Sequence, residues 1–178
     1  MINIKSIAIA ACLLVASLAF GQTDVQNNSA AGKGLAKNRE NAAKFELRAF
    51  KGPRGDVKAN FSATVGGEDS PNRVNIELKR AGDLNFRPDA AILTGAAVLT
   101  VKNGSNVRRI EGRIEVTVVD VVHPNQGDEG NEDLNKPHDR IIIRFRANQG
   151  DTTYSFEGLV VRGDIKVGHI DGPQGGGH

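Results

Sequence analysis

Apolar residues recur at every second position over most of this chain, the period that turns alternate side chains to one face of a β-strand. Phe45, Leu47 and Ala49 alternate with Glu46 and Arg48. Val57, Ala59, Phe61, Ala63 and Val65 alternate with Lys58, Asn60, Ser62 and Thr64, which makes the clearest strand in the sequence. Val74, Ile76 and Leu78 follow the same rule, and Leu84 with Phe86 predicts a brief strand stopped by Pro88. Ile92 to Val101 reads as one strand, or as two separated near Gly95. Lys102-Asn103-Gly104-Ser105 is a hairpin turn, because Asn-Gly tolerates the positive φ angles that tight hairpins need.

The longest alternation runs from Val107 to Val122. Ile110, Gly112, Ile114, Val116 and Val118 share one face, and Arg109, Glu111, Arg113, Glu115 and Thr117 take the other. At ~3.3 Å per residue such a strand would reach ~50 Å, so a bend is expected, with Gly112 its natural place. Ile141, Ile143 and Phe145 open the next strand after a long loop; Tyr154, Phe156, Gly158 and Val160 form another, and Ile165 with Val167 closes the series. About nine strands without an amphipathic helix predict one antiparallel all-β domain over residues 44–170. Gly112 and Gly158 fall on otherwise apolar faces, where a missing side chain lets a sheet coil sharply. That favours a β-barrel, with a β-sandwich as the alternative.

The ends of the chain lack this period. Lys5, the apolar run Ile7 to Phe20 and Ala19-Phe20-Gly21 have the form of a secretory signal peptide, residues 1–21, cleaved before Gln22. The run of about 14 residues is short against the ~20 of a membrane span. Ile9-Ala10-Ala11-Cys12 superficially fits a lipobox, but Leu13 to Phe20 continues the apolar run beyond Cys12. Residues 22–43 are small and polar and read as a flexible leader, with a short helix near Leu35 to Ala43 as the alternative for its second half. Residues 171–178 read as a disordered Gly- and Pro-containing tail.

Composition narrows the function classes. The 178 residues carry 23 Lys plus Arg against 21 Asp plus Glu, a net charge of +2, without the overall basicity of a nucleic-acid binder. The single cysteine, Cys12, leaves with the signal, so an exported chain has no disulfide and depends on its core for stability. With no Trp, one Tyr and seven Phe mostly on core faces, a stacking platform for sugars or bases is not expected. Export predicts a secreted or periplasmic protein with no membrane span once the signal is removed.

Several motifs of the second half occur in a fixed order. They are Ile92-Leu93-Thr94-Gly95-Ala96-Ala97-Val98, then Ile114-Glu115-Val116-Thr117-Val118-Val119-Asp120, then Asp139-Arg140-Ile141-Ile142-Ile143. Tyr154-Ser155-Phe156-Glu157-Gly158 and Gly163-Asp164-Ile165-Lys166-Val167 complete the order. Over residues 92–168 the chain resembles the post-COAP family of secreted bacterial β-domains. The resemblance implies an extracellular all-β module, of a kind often attached to adhesion-type proteins, with no established enzymatic activity. The chain departs from that pattern in standing alone behind its signal and in its longer loop between Asp120 and Asp139.

The candidate chemistry is sparse. The segment from Pro124 to Asp139 gathers Asp128, Glu129, Glu132, Asp133 and Asp139, and Asp120 leads into it. Clustered carboxylates on a Gly-containing loop suit Ca²⁺, although the spacing is not that of an EF-hand and a solvated acidic loop is the ordinary reading. His123 and His138 flank the segment and would suit a transition metal instead. Ser155 with His169 lacks the sharp turn that presents a nucleophile, and Glu111, Glu115 and Glu157 alternate outward with Arg109 and Arg113, which predicts cross-strand ion pairs. Arg54-Gly55-Asp56 and Arg162-Gly163-Asp164 read as turns between strands. The expected function is a non-enzymatic, cofactor-free module, with Ca²⁺ as the one cofactor to consider, that meets an extracellular protein or surface partner. The alternative is a small-ligand carrier with an apolar barrel interior.

Overall fold

A computed structural model describes residues 28–67, 70–121 and 138–169 of the chain, with residue 169 described by its backbone alone. The signal segment 1–21 with Cys12, and the tail 171–178, lie outside the described residues. The strands are β1 (Asn28–Lys37), β2 (Ala42–Lys51), β3 (Val57–Val65), β4 (Asn72–Arg87), β5 (Ala90–Asn103), β6 (Asn106–Val119), β7 (Arg140–Ala147) and β8 (Thr153–His169). Each pairs antiparallel with its sequence neighbour, and β8 returns to β1, so the sheet closes into an eight-stranded barrel. Closure leaves no free first or last strand, which answers the edge problem of an antiparallel sheet.

Three differences from the sequence pattern explain why eight strands stand where nine were expected. The leader is no coil from residue 28 on: Asn28–Lys37 forms β1 and Ala42 opens β2, so the segment from Leu35 to Ala43 is two strand ends and a turn rather than a helix. Its inward positions are Ala30, Gly32, Gly34 and Ala36, too small to register as an apolar face. The segments at Val74 to Leu78 and Leu84 to Phe86 are one strand, whose pairing with β5 shifts register between Leu78 and Arg80 and again between Ala81 and Leu84. The segments at Tyr154 to Val160 and Ile165 to Val167 are likewise one strand, β8, with an irregularity opposite Leu35 and Ala36 of β1. Arg162-Gly163-Asp164 therefore lies within β8 rather than between strands. Gly163 there has φ +94°, and a β carbon on it would run into the carbonyl of Lys33. Only glycine fits that close approach where first strand meets last.

All eight strands point apolar side chains inward, and Phe45, Leu47, Ile76, Leu84, Leu93, Leu99, Ile141, Ile143 and Ile165 are at most 2% exposed. An eight-stranded barrel is just wide enough for side chains to fill. Here the filling alternates large with small. The ring of Phe45 lies 3.3 Å from where a β carbon of Gly32 would be, and the ring of Phe156 lies 2.8 Å from that of Gly158. The Phe145 ring occupies the corresponding space at Gly112, together with the carbonyl of Arg146. Gly112 is thus a seat for an aromatic ring, a tighter constraint than the bend its position in a long strand suggests.

A β-branched side chain at Gly112 must displace that ring and the neighbouring backbone. Gly112→Val is expected to lose about 1–3 kcal/mol, the usual penalty of overpacking. Urea denaturation measures it, and an unchanged midpoint would mean that the ring does not sit there.

Candidate functional site

The two described members of the acidic group sit at one end of the barrel, where β7 begins. Beyond Leu159, β8 has left β7 and pairs only with β1, so its other edge faces no strand. Carboxylates take the place of the missing partner. Asp139 accepts from the amide of Ile165 at 2.8 Å and from that of Val121 at 2.9 Å, and its carbonyl accepts from Val160 at 2.8 Å. Asp120 accepts from the amide of Val167 at 2.9 Å. Asp139 is 4% exposed, the one buried charged residue of the described chain, and both of its oxygens are taken by backbone donors. Asp128, Glu129, Glu132 and Asp133 lie outside the described residues. Among the described residues no group of three or more His, Cys, Asp or Glu side chains is placed to hold a metal ion.

The remaining candidates are dispersed. Ser155 is exposed on the outer face of β8, and His138 adjoins Asp139 at the start of β7; His123 and His178 lie outside the described residues, and of His169 only the backbone is described. Two of the three expected cross-strand ion pairs form, with other partners than Arg109 and Arg113, and none involves Glu111 among the described residues. Glu115 pairs with Arg144 at 2.9 Å and Glu157 with Arg140 at 3.1 Å, both on β7, whereas Arg109 and Arg113 have no ion-pair partner among the described residues. Arg54-Gly55-Asp56 is the turn between β2 and β3, with Gly55 at φ +83° and the Gly52 amide bonded to the Asp56 carbonyl at 2.8 Å.

Two hollows stand out among the described residues. One, of about 620 Å³, lies where β3 and β4 part, since their ladder extends only over Ser62 to Val65 and Val74 to Glu77, and it reaches the inward-facing Ala30 and Ala49 as well as the outward Arg48 and Lys58. Lys51 reaches towards β4 there, to Asp83 at 2.9 Å and to the Leu84 carbonyl at 3.0 Å. The other, of about 1200 Å³, crosses the outside of β4 to β8. Arg80, Arg113, Arg144 and Arg146 line it, with Glu115 as its one acidic group. Tyr154 also borders it, and burial pushes its phenol up to about 12, so the hydroxyl keeps its proton at neutral pH.

Register explains how the arginines meet. Arg80 stands opposite Ala96, Ala96 opposite Arg113, Arg113 opposite Arg146, and Arg146 opposite Thr153. One row across five strands therefore holds three arginines with the small Ala96 between the first two. Like charges directly opposite one another destabilise a sheet, and none of these three has an ion-pair partner among the described residues. Elsewhere outer charges pair, as in Lys79 with Glu77 at 2.6 Å and Lys166 with Asp164 at 3.5 Å. Sequence reasoning missed the row because its members are far apart in the chain and only the register joins them.

No family model matches the chain, and no curated protein or solved structure matches it. The resemblance to the post-COAP family rests on the chain's motifs alone.

Burial raises the Asp139 carboxyl above its ordinary 3.8, against the lowering effect of the Val121 and Ile165 amides; the charges of Asp120 and Asp164 add to the rise. The folded protein then holds that proton more tightly than the unfolded chain, so the Asp139 contribution to stability grows as pH falls through the raised value towards 3.8. Asp83 behaves oppositely: its hydrogen bond from Lys51 leads the causes that lower it, and its contribution is lost as pH falls. Asp139→Asn keeps one acceptor oxygen for two amides and is expected to lose about 1–3 kcal/mol at neutral pH. In urea denaturation its deficit against the parent should widen on acidification towards the carboxyl range. A narrowing deficit would mean that the amide bonds, rather than burial, govern this carboxyl.

Proposed function

We propose that the protein is a secreted, non-enzymatic β-barrel that acts as a surface, matrix or partner-binding module and meets its ligand on the outside of the barrel. The filled interior is the observation that carries this reading. A carrier of small apolar ligands needs an enclosed cavity of several hundred Å³, whereas here the inward side chains of all eight strands pack against one another and the hollow that reaches Ala30 and Ala49 is open to solvent. The outer face supports the same conclusion. A barrel that crosses a membrane presents an apolar band outward, while the outward rows of β6 and β7 are rich in Arg and Glu and the apolar residues face inward.

Two measurements test the proposal. Produced in an exporting host, the protein should have the intact mass of a chain beginning at Gln22; recovery of the full-length chain from the membrane fraction would contradict export. Purified from a lipid-rich medium, it should show no stoichiometric fatty-acid adduct in native mass spectrometry and should leave an apolar fluorescent probe dim. A one-to-one adduct would overturn the filled interior and restore the carrier reading.

A further inference from the structure

We propose that the arginine row on β4, β6 and β7 is a binding site for a linear acidic polysaccharide, recognised through its carboxylate or sulfate groups. This rests on reading the protein as a module that binds on its outer face, and it supplies the class of ligand. The row runs across the strands, so its members are spaced by the distance between strands, ~4.8 Å each. Arg113 and Arg146 are direct neighbours on adjacent strands, close enough for both to reach one anionic group. Arg80 stands two strands further along, ~10 Å from Arg113, with Ala96 as a low floor between them. The hollow is therefore a trough with positive charge at both ends of its arginine segment, suited to a chain with repeated anionic groups. Guanidinium forks match carboxylate and sulfate oxygens with two parallel hydrogen bonds. Repulsion between facing arginines costs the free protein stability, and a bound anion removes it.

The neighbouring groups choose among polyanions. Thr94, Thr153, Ser155 and Asn148 border the trough with hydroxyl and amide groups, partners for sugar hydroxyls. Single-stranded nucleic acid would require exposed aromatic faces for its bases, and the one aromatic hydroxyl here, Tyr154, belongs to a half-buried side chain packed against the core. An acidic peptide partner would require an apolar anchor, yet the one exposed large hydrophobic residue of the described chain is Val107, which does not line the trough. Neutral sugars would offer nothing to the guanidinium charges.

The test measures binding of the mature protein to a polyuronate oligosaccharide, a sulfated heparin oligosaccharide, neutral dextran, single-stranded DNA and polyglutamate at one ionic strength. At least one acidic oligosaccharide is expected to bind, and the two arms separate carboxylate from sulfate recognition. Arg113→Ser with Arg146→Ser should weaken it by about tenfold or more, and Arg80→Ser by less. Arg39→Ser with Arg54→Ser removes the same charge from exposed turns and should leave affinity unchanged. Removing a facing pair of like charges should not lower the melting temperature, so loss of binding in the double variant is not loss of fold. Absence of binding to both acidic oligosaccharides, equal weakening by the turn variant, or equally tight binding of DNA or polyglutamate would each overturn the proposal. If the glycans fail while the interior still excludes the apolar probe, the ligand class falls and the binding-module reading stands; an interior adduct would defeat the module reading itself.

Discussion

The inside of an eight-stranded barrel is a fixed, narrow space, and what fills it decides what the outside can be. In this protein phenylalanine rings lie over glycines, Phe145 at Gly112 and Phe156 at Gly158, and at Gly32 the Ile165 side chain closes in with the Phe45 ring behind it. Each ring uses the volume that a missing side chain leaves, so bulky and absent side chains together reach the density of a protein interior. The branched residues around them, Ile76, Leu93, Leu99, Ile141, Ile143 and Ile165, are packed to the same degree. With the interior occupied, the recognition proposed for this protein falls to the surface. Because the sheet is closed, the order of outward residues around it is fixed by register, and that order lines up the arginines.

The same constraint governs the polar groups at the β7 end. β8 is longer than the strand beside it and crosses from β7 to β1, which strands several of its amides. Asp139 and Asp120 serve as acceptors in place of a backbone that is not there. A buried amide without a partner costs about as much as a lost hydrogen bond, so two carboxylates at this junction stabilise closure although burying Asp139 is unfavourable for its charge.

Much of this was legible in the sequence. Period-two alternation announced an all-β domain, and its hydrophobic side faced the core in β2, β3, β6 and β7. The Asn103-Gly104 turn stands where the dipeptide predicts it, with Gly104 at φ +58°. β1 was hidden because a strand whose inward residues are Ala and Gly carries no apolar signal. β4 and β8 looked like pairs of strands because Gly82-Asp83 and Gly163-Asp164 resemble turns, while the sheet absorbs them as irregularities. For the candidate site the sequence was a poorer guide. It drew attention to Asp120 and Asp139 as carboxylates, but their engagement with the amides of Val167, Val121 and Ile165 depends on where β8 departs from β7. The arginine row is a product of register across β4 to β7, which local pattern does not contain.

The central claim is that aromatic rings set into glycine positions fill the barrel, and a double-mutant cycle on Phe156 and Gly158 tests it directly. Gly158→Ala places a methyl group against the ring, which lies 2.8 Å from the new β carbon. Phe156→Leu removes the ring. If the ring occupies that space, the alanine substitution should cost markedly less in the leucine background, with a coupling of about 1 kcal/mol or more between the two sites in urea denaturation. Penalties that simply add, within about 0.3–0.5 kcal/mol, would contradict the account.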